Sequence, residues 1–539
     1  MNYSRLLICG LLACVALGGG VAVAQKGSLD DLVLASVNGE EITRRHLVQR
    51  LLDYYGEDAL EKMTNRVLLL QAAKRGNITV TEDEVKKKIE QFRSQFVTER
   101  DYHSFLERSN LTEKQYQEEN RHTLLLQKVA LKDSPVADED LQQYDIRMIV
   151  APDKASAEKW EKELEGGADF GKLAAERSAD PAGRKAGGRM RTFLKIEMLD
   201  VWRAIDDQKL APGGFTKKPV MLTTDQWVLI RLERLVPVSS TSATEKDRLV
   251  TLVTRYRMDQ WLAQARAKAE VQKKPFTEAV VATVNGEPIT RAQLVSRLLE
   301  YQGEQALELM INRTLLLQSA KKSGVTVTET EADKALADFK GKFKKADDFQ
   351  SVLTRNNITE KQLRDELRYS ALMEKVALKE APVTDEDLVQ YDVRMMVAPD
   401  KNAAEKWIKE LDNGGDFAKM AAERTDDPDG RKTGGKLRPF LKIELLDVWR
   451  AMDEQKLKPG SYTKKPVFLT DNTWVIIKLE NRIAASTLTD EEKARLTAGI
   501  KQYRVSQWLN QTLASAKAAG KISRPVPLTP QVILGSAER

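Results

Sequence analysis

The chain has 539 residues, 42% of them hydrophobic and 31% charged, with 86 Lys and Arg against 80 Asp and Glu. Such a length exceeds one compact core and calls for roughly three to five domains, and this balance excludes a largely disordered chain or a multi-span membrane protein. A formal charge of +6 spread along the whole length gives no argument for nucleic-acid binding.

The first element in the chain is a leader. Arg5 precedes an apolar run from Leu6 to Val23 and the small-residue pattern Ala22-Val23-Ala24, which predicts an export signal peptide over residues 1–24. Leu11-Leu12-Ala13-Cys14 offers a second reading, a lipoprotein cleavage box that would anchor the chain through a lipid. No later stretch is long and apolar enough to span a bilayer. Both cysteines, Cys9 and Cys14, lie in the leader. Cleavage after Ala24 therefore leaves a mature chain without disulfides, thiol catalysis or zinc-thiolate sites.

The rest of the chain is a tandem duplication. Val37-Asn38-Gly39-Glu40 returns as Val284-Asn285-Gly286-Glu287, and the offset of 247 holds at Asn65/Asn312, Tyr144/Tyr391, Trp202/Trp449, Trp227/Trp474 and Trp261/Trp508. Each repeat opens with an apolar strand, Leu34 to Val37 or Val280 to Val284, turned by Asn-Gly, after which Thr43 or Thr290 can cap a helix. Leu60, Met63, Val67 and Leu70, with Leu307, Met310, Thr314 and Leu317 in the second copy, recur at helical spacing. Thr81/Glu84, Thr112/Gln115, Thr328/Glu331 and Thr359/Gln362 have capping-box spacing. Helical domains are thus expected over 30–138 and 276–385. Short strand, helix and turn signals over 142–237 and 389–484 predict an α+β domain in each repeat. Amphipathic helices over 238–272 and 485–521 need a partner, the upstream helical domain being the nearest. Pro525, Pro527 and Pro530 make the 522–539 tail extended.

The central segments resemble the parvulin family of peptidyl-prolyl isomerases. The resemblance rests on Ile146-Arg147-Met148-Ile149-Val150, Gly167-Ala168-Asp169-Phe170, Ser178-Ala179-Asp180-Pro181, Gly187-Gly188, Phe193, Met198, Trp202, Pro219-Val220 and Trp227-Val228-Leu229-Ile230. The second copy repeats these marks from Val393 to Ile477. The flanking helical parts, with their Val-Asn-Gly-Glu-x-Ile-Thr opening, resemble the peptide-holding domain of SurA/PrsA-type extracytoplasmic chaperones. In those proteins a helix after the parvulin domain returns to complete the helical fold.

The resemblance implies a shallow apolar pocket floored by two histidines, with Asp or Cys nearby and apolar side chains gripping a proline ring. Rotating an X-Pro bond must overcome a barrier of about 18 to 20 kcal/mol without any covalent step. Carried over by position, Met198 and Trp202, or Leu445 and Trp449, grip the ring, and Asp180 and Asp427 stand where the family has Asp or Cys. Both histidines are missing: Met148 and Met395 stand at the first position, Trp227 and Trp474 at the second. A glycine of the family is replaced by Arg191 and Arg438. No catalytic residue is assigned.

Simpler roles stand beside these. Alternation puts Val228, Ile230 and Leu232 on one strand face and Trp227 with Arg231 on the other, less buried one. Methionines commonly fill cores, Gly187-Gly188 and Gly434-Gly435 serve turns, and Asp180-Pro181 and Asp427-Pro428 can start them. Arg184, Lys185, Arg189 and Arg191 recur as Arg431, Lys432, Lys436 and Arg438, either a solvated loop or a contact for an acidic client or anionic envelope surface. His46, His103 and His122 have no counterpart in the second copy and no metal-ligand spacing. No cofactor or metal is implied. The expected function is an exported, periplasmic or otherwise extracytoplasmic, holdase for unfolded or proline-containing polypeptides, with parvulin domains weak or inactive as isomerases. An active isomerase and a structural envelope protein with one fixed partner are the alternatives.

Overall fold

A computed structural model of the chain describes residues 29–109, 111–222, 226–343, 345–356, 358–469 and 473–528. The leader and the end of the tail lie outside these residues.

The first repeat opens with strands β1 (Val33–Val37) and β2 (Glu40–Thr43). Asn38 and Gly39 between them both have positive φ, 50° and 86°, the backbone of a two-residue hairpin turn that Asn-Gly favours. The long helix α1 (Arg44–Gly76) comes next, and Thr43 Oγ1 accepts the His46 N–H at its start. Then come α2 (Glu82–Arg93), α3 (Glu99–Arg108) and α4 (Glu113–Lys132). Thr81 with Glu84 and Thr112 with Gln115 close the expected capping boxes, and Thr98 with Asp101 closes a third. Each cap is worth about 1 kcal/mol.

The middle of the repeat is β3 (Gln143–Ala151), α5 (Lys154–Glu165), α6 (Phe170–Arg177), α7 (Pro181–Lys185), β4 (Phe193–Leu194), α8 (Leu199–Asp207), β5 (Val220–Met221) and β6 (Trp227–Val236). Its strands form an antiparallel sheet in the order β4-β3-β6-β5. Helix α9 (Ala243–Lys268) and strand β7 (Val271–Lys273) end the repeat. Met258, Trp261 and Leu262 of α9 pack on Leu69, Ala73, Leu126 and Val129 of α1 and α4. The returning helix thus finds its partner in the helical domain.

The second repeat copies this order: β8 (Val280–Val284), β9 (Glu287–Thr290), α10 (Arg291–Ser323), α11 (Glu329–Lys340), α12 (Ala346–Asn356) and α13 (Glu360–Glu380). It continues with β10 (Gln390–Ala398), α14 (Lys401–Asp412), α15 (Phe417–Arg424), α16 (Pro428–Thr433), β11 (Phe440–Leu441), α17 (Leu446–Glu454), β12 (Val467–Phe468) and β13 (Trp474–Ile483). Helix α18 (Asp490–Ala518) and strand β14 (Ile522–Ser523) close it. The fold is α+β, with two tandem helical domains and two parvulin-like sheets.

Leu70 and Leu317, which end the helically spaced sets on the long helices, stand on their accessible side. They are 49% and 51% exposed, while their neighbours Leu69 and Leu316 are fully buried. Each long helix turns a different stripe inward in this part of its length.

The compact units cut across the repeats. Residues Gly56–Tyr301 form one unit; the residues up to Tyr55 and from Gln302 onward form the other. The opening hairpin of each repeat lies in the unit that holds the later helices of the other repeat. Hairpin β1-β2 carries β14 on its free edge, with Val37 facing Ile522 and Ser36 facing Ser523. Hairpin β8-β9 carries β7, with Val284 facing Val271. The boundary falls inside α1 and α10, both unbroken helices.

Candidate functional site

Each parvulin-like sheet has a fixed parity. In the first, Met148 lies opposite Ile230, Val150 opposite Val228 and Ala151 opposite Trp227. Directly opposed residues share a face, so Met148 stands with Val228, Ile230 and Leu232. That face is covered by Val201, Ala204 and Ile205 of α8 and by Phe193, with Met148, Met190 and Met198 packed at its margin. In the second domain the same face carries Val393, Val475, Ile477 and Leu479, with Met395, Leu437 and Trp449 against it.

The structure therefore brings Met148, Met198 and Trp202 to one side of the sheet and leaves Trp227 out. Trp227 packs on the opposite face with Ile149, Ala151, Leu229 and Trp160, under α5 and α6. Trp474 does the same against Met396, Ala398 and Trp407. On the face that carries the methionines, the side chains next to these indoles in sequence are Val228 and Val475, both fully buried. The alternation of the strand, combined with its pairing to β3, is the signal that could have found them.

Trp202 is held on two sides. Its indole N–H donates to the Tyr144 hydroxyl at 3.0 Å, and the Lys195 Nζ lies 3.5 Å from its ring centroid. Trp449 repeats both contacts, with Tyr391 at 2.9 Å and Lys442 at 3.7 Å. Leu445, standing where the first copy has Met198, is 39% exposed.

Asp180 and Asp427 are helix caps. Asp180 accepts the N–H groups of Ala182 and Gly183 at 3.1 and 2.8 Å, and Asp427 those of Asp429 and Gly430 at 3.1 and 3.0 Å. The loops they start are pinned along β3 and β10, since Gly188 O accepts from Met148 N and Gly435 O from Met395 N, both at 2.8 Å. The carboxylates thus shape the rim beside the methionines.

The basic loop is largely ion-paired. Arg189 reaches Asp145 at 3.3 Å and Arg191 reaches Glu197 at 2.9 Å; Lys436 reaches Asp392 at 3.6 Å and Arg438 reaches Glu444 at 2.9 Å. Burial raises the Glu444 pKa, but the Leu441 N–H and Arg438 outweigh it and hold the carboxyl below its ordinary value. Arg191 and Arg438, in the place of a family glycine, clamp the loop to the turn before α8 and α17. Among the described residues no group of three or more His, Cys, Asp or Glu could hold a metal ion.

The chemistry open to this site is limited by its side chains. The floor is built of methionine, valine and isoleucine, with an indole at the margin, and offers apolar contact and adaptable shape. No group on it titrates.

A family profile described as a SurA-like N-terminal domain matches residues 4–130 and 300–377. The foldase protein PrsA of Pediococcus pentosaceus is 29% identical over 224 residues, covering 40% of this chain and 74% of that protein. The chain is thus similar to foldase chaperones of the SurA/PrsA type. The putative peptidyl-prolyl cis-trans isomerase YacD of Bacillus subtilis matches at 27% over 232 residues, 40% of this chain and 72% of that protein. Each of these two matches is about one repeat long. Among solved structures, PrsA of Bacillus cereus is 24% identical, covers 47% of this chain and 96% of its own, and gives a TM-score of 0.32. No helix among the described residues is long and apolar enough to cross a membrane.

Proposed function

We propose that this protein is an exported holdase that binds unfolded polypeptide segments, and that its two parvulin-like domains bind without appreciable proline turnover. One observation carries the second half. Where the resemblance places the family histidines, the pocket face presents only apolar side chains in both copies, Met148 with Val228 and Met395 with Val475, while Trp227 and Trp474 turn to the other face. Hydrogen bonds that respond to a twisting amide cannot come from these side chains, and differential stabilisation of the twisted bond is what the reaction requires.

Binding draws on apolar side chains left accessible in both copies. Leu70 and Leu317 are half-exposed on the long helices, and Met221 and Phe468, 52% and 53% exposed, stand at the β5 and β12 edges beside Trp227 and Trp474. Two such modules on one chain raise avidity for a client with two suitable segments.

The test is a proline-limited refolding assay together with an aggregation assay on unrelated unfolded proteins. The comparison protein carries Met148→His with Val228→His, and Met395→His with Val475→His. Suppressed aggregation without faster proline-limited refolding is the expected result. Acceleration by the unaltered chain would make it an isomerase; binding to one protein only, with no general suppression, would make it an assembly factor.

A further inference from the structure

The opening hairpin of each repeat sits in a socket built from the other repeat, and hairpin and socket use the same residues in both units. In the unit of residues 56–301, Gln71 Nε2 donates to Val284 O and to Glu287, both at 3.0 Å, and Asn285 Nδ2 donates back to Gln71 Oε1 at 2.8 Å. Gln115 Nε2 donates to Glu300 O at 2.8 Å, and Arg297 pairs with Glu119 at 3.0 Å. In the other unit Gln318 Nε2 donates to Val37 O and to Glu40, both at 3.0 Å, and Asn38 Nδ2 donates to Gln318 Oε1 at 2.6 Å. Gln362 Nε2 donates to Asp53 O, and Arg50 pairs with Glu366 at 3.2 Å. Each of these contacts in one unit is the other's shifted by one repeat.

Because the sockets are the same, hairpin β1-β2 carries the right side chains for the socket of its own repeat. The helix separates the two outcomes. Helices α1 and α10 run unbroken through Tyr55-Gly56 and Tyr301-Gln302, where the units meet in sequence. For a hairpin to return to its own repeat the helix would have to break there, leaving up to four N–H and four C=O groups without intrahelical partners. The strand edges agree with the helices. Lys273, at the end of β7, pairs with Glu57 at 2.8 Å, and Phe276 packs so closely on Gly56 that a Cβ there would come within 2.6 Å of its ring. Arg524, just after β14, pairs with Glu304 and with Glu308.

We infer that neither repeat completes a helical module by itself, and that the partner each socket fits is the hairpin of a second copy of the same repeat. The tandem chain supplies both copies and closes the exchange within one molecule. One unit is then a contiguous segment, residues 56–301, in which the hairpin comes after the body it completes. The other is split by that segment and is complete only when Ile522 and Ser523 have paired with β1.

Residues 25–539 hold no cysteine, so engineered pairs report on the exchange directly. Ser36→Cys with Ser523→Cys, directly opposed across β1 and β14, should form a disulfide inside a monomer, and Ser36→Cys with Gln272→Cys, the β7 residue it would face in its own repeat, should not. Closure of the second pair, or closure of the first only as a covalent dimer, would overturn the inference. A second measurement needs no new side chain in the socket: a protease site inserted after Thr277, in the exposed turn between β7 and β8, is cut in the folded full chain. The two halves should stay together at the mass of the uncut protein in light scattering. Their separation into two folded single-repeat monomers would show that each hairpin closes on its own repeat.

Discussion

The indole N–H of Trp202 ends on the hydroxyl of Tyr144, 3.0 Å away, and in the second copy Trp449 ends on Tyr391 at 2.9 Å. Each bond fixes the indole at the margin of the apolar face, between a strand residue and the helix that covers the sheet. The second tyrosine bears more: the Arg482 guanidinium also donates to its hydroxyl at 3.1 Å. Tyr144→Phe should cost about 1 kcal/mol, the loss of one neutral hydrogen bond, and Tyr391→Phe about 2 kcal/mol, since a charged donor loses its acceptor as well. Urea unfolding followed by hydrogen exchange in β3 and β10 separates the two domains. Equal costs, or the reverse order, would contradict the assignment.

Gly188 and Gly435 tie the rim of each site to the strand that carries the methionine. Gly188 has φ +77°, and a Cβ there would lie 2.8 Å from Met148 O and 2.9 Å from Ala174 Cβ; at Gly435, φ is +76° and Met395 O would be 2.6 Å away. A backbone carbonyl fixed in the middle of β3 or β10 cannot move aside cheaply. Gly213 has φ +86° with nothing within 4 Å, so it isolates the conformational cost. Gly213→Ala should lose about 1 to 2 kcal/mol, and Gly188→Ala or Gly435→Ala about 3 kcal/mol or more. Thermal unfolding of the three variants checks the difference, and similar losses would remove the claimed contact.

Much of this architecture is legible in the residues. The Asn-Gly turns, the capping boxes at Thr81, Thr112, Thr328 and Thr359, and the returning helices all arise from local chemistry and spacing. Two features do not. A repeat that carries hairpin and socket in both copies cannot reveal which hairpin fills which socket, because Gln71 and Gln318 offer the same amide to the same backbone oxygen; only the continuity of α1 and α10 decides. The site is partly hidden for another reason. Neighbours along a strand face opposite sides of the sheet, so of Trp227 and Val228 only Val228 shares the Met148 face, and the indole expected in the pocket lies on the other side. Pairing with β3, invisible in a single strand's sequence, sets the parity.

The exchanged ion pair between Arg50 and Glu366 can be used to read the partner out. Arg50 also lies over the Tyr54 ring at 4.2 Å. Arg50→Glu places two carboxylates together and should cost about 1 to 2 kcal/mol. Adding Glu366→Arg should restore most of that loss, whereas adding Glu119→Arg, the equivalent residue of the first repeat, should not. A double-mutant cycle on urea midpoints measures both. Rescue by Glu119→Arg would place the hairpin in its own repeat.

His122 stands in one unit where Tyr369 stands in the other. Burial is the main force on the imidazole and pushes its pKa below the ordinary value; Arg66 and Arg297 push the same way, and Glu119 opposes them. The folded chain thus favours the neutral imidazole of His122 over the charged one. In the unfolded chain an imidazole begins to take up a proton as the pH falls through about 6.5, so the unfolded state then binds more protons than the folded one. Stability of the 56–301 unit is present in full above that value and falls as the pH drops below it, by at most about 1.4 kcal/mol per pH unit, until the folded-state pKa is reached. Hydrogen exchange across α4 should therefore quicken between pH 7.5 and 5.5, after correction for intrinsic rates, while exchange across α13 should change less. His122→Tyr, which copies the other repeat, should remove the difference between the two helices. If α4 keeps its pH response in that variant, some other group on the unit is the one that titrates.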